Sequence, residues 1–409
     1  MTEQMDGYLK LNPVWLKAAV LGGLWASVEI IIGSFFHNLR LPFAGTILAA
    51  NGTILMIAFY QMWPQKGLIW RAGLITALMK SVSPSAIILG PMIGIMIEAL
   101  LVEFFIRAFG NNPVSLSFAG ALSVSSAFIH KVVSLIILYG FNIVKLYVDI
   151  FNWLAKQVRI EHPNPWMLVI VVVAVYLFFG ITAALTGFYI GKKSRNRAYQ
   201  SHGFAPEIVD KINLLAIDPN QRFSVGLFII HIILIPTGLL LLNYLHLVYG
   251  MVFILGYSGF CILHYKRSLR RLKKPVFWGQ LILLTFLAAI FWNGFSNRES
   301  LFNTEGLLIG LEMNLRALFI VIAFSSFSVE LRNPVIRDFL FRTGFDKIYA
   351  TLGLAFTALP VMIEAMPKPK VFLRHPVISF SNMMIEAREW LEVFSKHSQK
   401  TEPQFQKTQ

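Results

Sequence analysis

Apolar and polar positions fall along this chain in long blocks, not in the short periods of soluble helices or strands. Runs of roughly 18–25 apolar residues are broken by short polar or basic loops, and that length suits a helix crossing a ~30 Å hydrocarbon layer. Lipid offers no water to the peptide groups, so each run is read as a helix that pairs its N–H and C=O groups internally. The first half predicts six spans, near Trp15–Phe36, Pro42–Trp63, Gly67–Lys80, Pro84–Phe109, Val114–Phe151 and Trp166–Gly191. The third is short, and the fifth is too long for one crossing and is expected to project beyond the bilayer. Four more lie near Phe223–Tyr244, Val248–Leu263, Val276–Trp292 and Gly306–Phe327. The fold class this predicts is all-α: a polytopic membrane protein of about ten transmembrane helices, six plus four.

After the tenth run the pattern changes. Ser328–Lys347 is mixed and charged, Ile348–Met366 is apolar but studded with small residues, and Ile378–His397 is amphipathic. These helices predict a cytoplasmic docking platform held against the membrane. Residues 398–409 are polar and are expected to be disordered.

Composition supports the membrane reading. The 409 residues are 56% hydrophobic and only 14% charged, and the mean hydropathy is +0.63. A soluble chain of this length needs far more charged surface. The net charge of +15 does not point to nucleic acid, because the cations sit in short loops between apolar runs. Lys192, Lys193, Arg195 and Arg197 follow the sixth span, and Lys266, Arg267, Arg270, Arg271, Lys273 and Lys274 follow the eighth. With both termini inside, both clusters face the cytoplasm, and Lys66, Arg71 and Arg107 agree. The expected location is a cytoplasmic (inner) membrane. Met1–Asn12 is polar without a small-residue cleavage site, so no removable signal peptide is expected. The single cysteine, Cys261, excludes an intramolecular disulfide and a thiolate metal site. No span carries a His-x-x-x-His pair, so no metal and no cofactor is expected.

Polar side chains inside a membrane are functional candidates by default. The topology places Glu29, His37, Asn38 and Arg40 toward the outer ends of spans one and two. It places Lys80, Ser81, Ser83 and Ser85 at the outer junction of spans three and four, and Asn142, Lys145 and Asp149 in the outer part of span five. This mixture of cations, amides and hydroxyls suits a small anionic or zwitterionic solute entering from outside. The same residues have a plainer reading: Lys145 and Asp149 pair at i,i+4, and the serines cap the helix that begins near Pro84. Asn51, Glu98, His130 and Lys131 lie deeper, with Glu103 five residues from Glu98. They are read as a structural polar cluster or, alternatively, as a proton relay.

From Asp218 onward the residues resemble the transmembrane T component of energy-coupling-factor transporters. Ile217-Asp218-Pro219-Asn220-Gln221-Arg222 stands where that family opens with Asp-Pro-Arg-Thr-Lys, and the basic Arg270–Lys274 loop precedes a span as in the family. Glu305-Gly306-Leu307, Gly310-Leu311 and Leu315-Arg316 resemble its signature after that span. Asn333-Pro334 through Gly344 and Gly353-Leu354-Ala355-Phe356 to Leu359-Pro360 resemble its loop and first coupling helix. Residues 1–191 are similar to an S component, the substrate-binding subunit, through six spans with both ends inside and the small residues Ala18, Gly22 and Ala26. Such a stripe permits close helix approach in lipid, either within the domain or between S and T parts.

The resemblance implies an S component (1–191) joined by a basic cytoplasmic linker (192–217) to a T component (218–397). It implies a small micronutrient as substrate, such as a vitamin, and docking of separate ATP-binding cassette ATPase subunits at the coupling helices. Arg388 in Ala387-Arg388-Glu389 stands where the family has Ala-Arg-Gly, without the glycine, and Arg374 is the second docking candidate. The family also implies that the S part topples in the membrane, which a linker able to reach up to ~100 Å permits. ATP hydrolysis is not expected in this chain, because Gly187–Lys193 lacks the spacing and the Ser/Thr of a phosphate loop. Two other functions fit a polytopic chain: a secondary transporter driven by an ion gradient, with Glu98, Glu103, His130 and Lys131 as relay, and a membrane-embedded enzyme.

Overall fold

The computed structural model describes residues 12–38, 43–80, 89–160, 163–196, 224–244, 247–265, 272, 275–292, 303–330 and 346–400. Among them run fourteen α-helices and no strand. The N-terminal part holds α1 (Pro13–Asn38), α2 (Ala44–Met62), α3 (Leu68–Lys80), α4 (Leu89–Phe109), α5 (Pro113–Tyr139), α6 (Asn142–Gln157) and α7 (Pro165–Asn196). Then come α8 (Val225–Tyr244), α9 (Leu247–His264), α10 (Pro275–Phe291) and α11 (Thr304–Glu330). The C-terminal group is α12 (Asp346–Ala365), α13 (Pro369–Arg374) and α14 (Pro376–Lys400).

Six of these helices are long and apolar enough to cross a membrane: α1, α2, α5, α7, α8 and α11. The protein is thus an all-α, multi-pass membrane protein. Ten crossings are not established. The third predicted span is a 13-residue helix, which at 1.5 Å per residue extends only ~20 Å. The apolar stretches Tyr249–His264, Pro275–Phe291 and Thr351–Ala365 are also short of a full crossing.

The overlong fifth span breaks in two. Gly140 has φ +76°, in the left-handed region that favours glycine, and its N–H closes the last turn of α5 on Ile136 O at 2.8 Å. The chain restarts at Asn142 as α6, whose polar and apolar residues segregate to opposite faces. Such a helix suits an interface between water and hydrocarbon better than a crossing.

Burial sorts the spans into central and peripheral. In α1, 72% of the most apolar window is buried, against 22% in α7 and in α8. Trp166, Met167, Ile170 and Phe178 of α7 stay exposed; in a membrane protein such side chains face lipid. Without a hydrophobic drive between helices in lipid, close packing must hold them together. A Cβ added to Gly120 of α5 would meet Gly180 O of α7 at 2.5 Å, so the two backbones touch there. Further along α7, Gly187 and Gly191 lie as closely against Ile54 O and Ala58 O of α2.

The apolar cores do not follow chain order. The main core unites α1–α4 with Ala355, Phe356, Met362, Phe380, Trp390 and Phe394 of the C-terminal group. The expected docking platform is therefore seated on the N-terminal helices. A separate core joins α8, α9 and α11 through Ile235, Ile254, Tyr257 and Phe319.

Candidate functional site

The predicted polar residues divide into one assembled cluster and several scattered groups. The cluster lies between α1, α3 and α4. Lys80, at the last turn of α3, donates to Glu29 O at 2.8 Å and to Glu29 Oε2 at 3.4 Å. Both side chains are almost fully covered. Gly33, one turn beyond Glu29 on α1, leaves room for the ammonium: a Cβ there would stand 3.3 Å from Lys80 Nζ and 3.4 Å from Leu48 Cδ1 of α2. Glu98 on α4 is 6% exposed, and its Oε2 has no hydrogen-bond partner among the described residues. The next residue, Ala99, lies against Gly73 of α3, where an added Cβ would meet its side chain. Asn51 is also buried, with Nδ2 unpartnered.

The other candidates fall elsewhere. The side chains of His37 and Asn38, and all of Arg40, Ser81, Ser83 and Ser85, lie outside the described residues. Asn142 opens α6 and is partly exposed. Lys145, also on α6, places its ammonium 4.0 Å from the centre of the Trp292 ring, just beyond α10. It therefore stands at a contact between the two parts of the chain, beside the edge-to-face pair of Trp153 and Phe291.

The four members of the suggested relay have different surroundings. Glu103 accepts from the amides of Gly67 at 2.6 Å, Ile69 at 3.1 Å and Trp70 at 3.4 Å, and from Arg107 Nε at 2.6 Å. These amides open α3, where the backbone presents donors and partial positive charge. Glu103 is thus the anionic cap of that helix. His130 lies across from Gly94 of α4, and Lys131 is exposed.

The small residues of α1 form two adjacent stripes because successive residues turn by 100° around the axis. Ala18, Gly22 and Ala26 are fully buried or backbone-lined. Gly22 turns toward α3: a Cβ there would meet Ile75 Cβ at 2.8 Å and Ala72 O at 3.0 Å. The close approach to the C-terminal group is one residue on, at Gly23, where a Cβ would stand 2.8 Å from Met362 Sδ of α12. Of the two arginine candidates, Arg388 donates from Nη2 to Ser194 O, near the end of α7, at 3.1 Å, and Arg374 is exposed. Near both runs a groove lined by Val371, His375, Ser379, Asn382 and Glu386. Burial, and then the neighbouring Glu389, pushes the Glu386 carboxyl up to about 7.

Two polar arrangements have no counterpart in the sequence reading. His231 of α8 sits between the hydroxyls of Tyr257 (2.6 Å) and Tyr265 (3.1 Å); Tyr265 donates to Glu330 Oε1 at 2.7 Å, and Glu330 Oε2 accepts from Ser224 N at 3.0 Å. This chain of bonds ties the ends of α8, α9 and α11. Arg316 of α11 reaches into the N-terminal part and donates from Nε to Ile137 O at 3.1 Å, in the last turn of α5. Helix ends leave carbonyls unpaired, and a cation is a favourable partner there. Contacts between residues so far apart in sequence leave no periodic signal.

No protein-family model, no curated protein and no solved structure matches this chain.

Proposed function

We propose that this chain is the membrane part of a nutrient importer of the energy-coupling-factor type. In this reading residues 1–191 bind a small micronutrient, and residues 218–397 transmit the motions of separate ATP-binding cassette ATPase subunits. The cytoplasmic membrane of a prokaryote holds it, with both termini in the cytoplasm. The chain itself is not an enzyme and needs no cofactor. The observation that supports this most is the shared core of α1 with α12–α14. The segments that the resemblance makes coupling helices lie directly on the part that would hold substrate. A push on α12 or α14 therefore reaches α1 through packed side chains. Arg374 is open to an incoming subunit; Arg388 has to leave Ser194 O before it docks elsewhere.

Reconstitution in liposomes tests this reading. With co-purifying ATPase subunits, uptake should require ATP inside the compartment that corresponds to the cytoplasm. Uptake by the purified chain alone, driven by a proton or sodium gradient, would replace this reading with the secondary transporter. The observation on that side is the buried Glu98, whose Oε2 has no hydrogen-bond partner among the described residues.

A further inference from the structure

At the end of α3 opposite Lys80, donors from two arginines and one indole converge on Gly67. This glycine precedes α3 with φ +85°, in the left-handed region, and has no side chain to stand between them. A Cβ added there would collide with Arg71 Nη1 and would stand 3.2 Å from Trp70 Nε1 and 3.3 Å from Arg107 Nη2. At N···O distances of ~2.9 Å, separate oxygens of one phosphate group can reach any two of these nitrogens. Trp70 and Arg71 lie in the first turn of α3, and Arg107 lies in the last turn of α4.

The charges at this spot do not balance. Glu103 is the carboxylate beside it, and three amides at the start of α3 and Arg107 Nε already point at that group. Arg71 forms no salt bridge among the described residues. Its Nη1 donates to Gly67 O at 2.9 Å, and its buried Nε has no hydrogen-bond partner there. The ring centres of Trp15 and Trp70, 4.9 and 4.7 Å from its guanidinium carbon, hold the group in place. Two guanidinium charges against one carboxylate leave one positive charge over. An anion is the missing partner, and the guanidinium fork is matched to the oxygens of carboxylate and phosphate.

The surface next to these donors indicates which anion. Ile93, Ile97, Leu100 and Phe104 are exposed and recur every three or four residues, so they share one face of α4. Arg107, three residues further on, continues that face and is itself exposed. At 1.5 Å per residue the apolar stripe is ~16 Å long, about half of a ~30 Å hydrocarbon core. An acyl chain lying along it brings its headgroup to Arg107. Tryptophans settle at headgroup level, and Trp15 and Trp70 stand here as an edge-to-face pair. We propose that this end of α3 and α4 binds an anionic phospholipid, its phosphodiester held by Arg71, Arg107 and Trp70 Nε1. The single negative charge of a phosphatidylglycerol headgroup equals the positive charge left over. The bound phosphate bridges α3 and α4. This site is independent of what the chain transports.

Thermal unfolding of the full chain in mild detergent tests it, with added dioleoylphosphatidylglycerol compared with dioleoylphosphatidylcholine. Glycerol 3-phosphate and inorganic phosphate supply the phosphate without acyl chains. Phosphatidylglycerol should raise the unfolding temperature in a saturable way, because a ligand of the folded state alone stabilises it. The other three should not do so at equal concentration. Arg107→Gln should raise the lipid concentration needed roughly tenfold or more, the loss of a charge-assisted bond. Trp70→Phe keeps a ring beside Arg71 and removes one neutral donor, so it should raise that concentration about two- to tenfold. Lys193→Gln removes the same charge from an exposed position near the end of α7 and should respond as the wild type does. Equal stabilisation by phosphatidylcholine, a wild-type response in both Arg107→Gln and Trp70→Phe, or an equal loss in Lys193→Gln would overturn the proposal. Stabilisation by glycerol 3-phosphate or inorganic phosphate at matching concentration would also overturn it, in favour of a site for soluble phosphate.

Discussion

Replacing Gly23 with leucine should loosen the contact between α1 and α12, whereas the same change at Gly22 should act inside the N-terminal bundle. The two glycines are neighbours in sequence but face different helices. At Gly23 an added Cβ meets the end of the Met362 side chain, Sδ at 2.8 Å and Cε at 3.3 Å. Methionine is unbranched and adaptable, so Gly23→Ala should cost less than ~1 kcal/mol. Leucine adds three further carbons, more than a methionine rotamer can make room for in a fully buried site. Overpacking of that kind costs about 1–3 kcal/mol, which is roughly a five- to 150-fold change in the equilibrium holding α1 on α12. At Gly22 the obstacle is a β-branched side chain, Ile75, together with the backbone oxygen of Ala72. Neither yields easily, and α3 must move.

The assay is a protease site placed in the linker between α7 and α8, followed by size-exclusion chromatography in mild detergent. The cleaved wild type should remain one particle, and cleaved Gly23→Leu should separate at lower detergent concentration. Gly22→Leu should instead lower the unfolding temperature with less effect on separation. Met362→Ala combined with Gly23→Leu should recover part of the loss, since neighbours in contact are not additive. Equal behaviour of the two leucine variants, or no rescue by Met362→Ala, would refute the assignment of the two faces.

Three further changes probe the fold. Glu103→Gln should lower stability by about 1–3 kcal/mol in thermal unfolding, because a neutral amide replaces a carboxylate that accepts from three backbone amides and Arg107; no loss would mean that α3 needs no anionic cap. Glu386 is raised from 4.5 to about 7, so its contribution is fully favourable below pH 4.5 and is lost as pH rises through 7. Glu386→Gln should therefore gain roughly 1–2 kcal/mol at pH 8, after discounting for the solvent reaching this partly exposed side chain, and little at pH 4; unfolding temperatures at the two pH values check this. Gly180→Val should displace α7 from α5, since a Cβ there meets Ala121 Cα at 2.6 Å. An overpacking loss of about 1–3 kcal/mol is expected, read as a lower midpoint in denaturant titration.

The helical class was legible in the sequence because apolar run length is a local property. Hydropathy and loop charge place Glu29 and Lys80 toward the same side of the membrane, but that they bond to each other was not legible. The break at Gly140 was visible only as a run too long to be one span. What fixes it is the φ of +76° and the nearby Arg316 guanidinium, and the second comes from 176 positions away along the chain. The cap on α3 was hidden for a similar reason: Glu103 lies 36 residues from Gly67, and nothing in either segment announces the other. The stripe Ala18, Gly22 and Ala26 has the correct spacing for helix packing, yet spacing alone does not say which neighbour each residue meets. A rotation of one residue moves the contact from α3 to α12.

The contacts between the N-terminal and C-terminal parts differ in how they can move. Around Gly23 and Met362 the contact is apolar, made of small and flexible side chains that can shift past one another. At Arg316 the contact is directional: Nε donates to one carbonyl, Ile137 O, and a displacement of a few ångströms ends it, because hydrogen bonds weaken steeply outside their narrow geometry. Arg388 on Ser194 O is a second contact of the directional kind, at the other end of the N-terminal bundle. α5 runs between α4 and α7, so the Arg316 contact lies toward one end of the N-terminal helices and the Arg388 contact toward the opposite end of α7. A rigid tilt of the bundle cannot hold both in place while α1 slides on α12. In the proposed importer, the apolar face is then the bearing, and the two arginines are the points that define where the resting position lies.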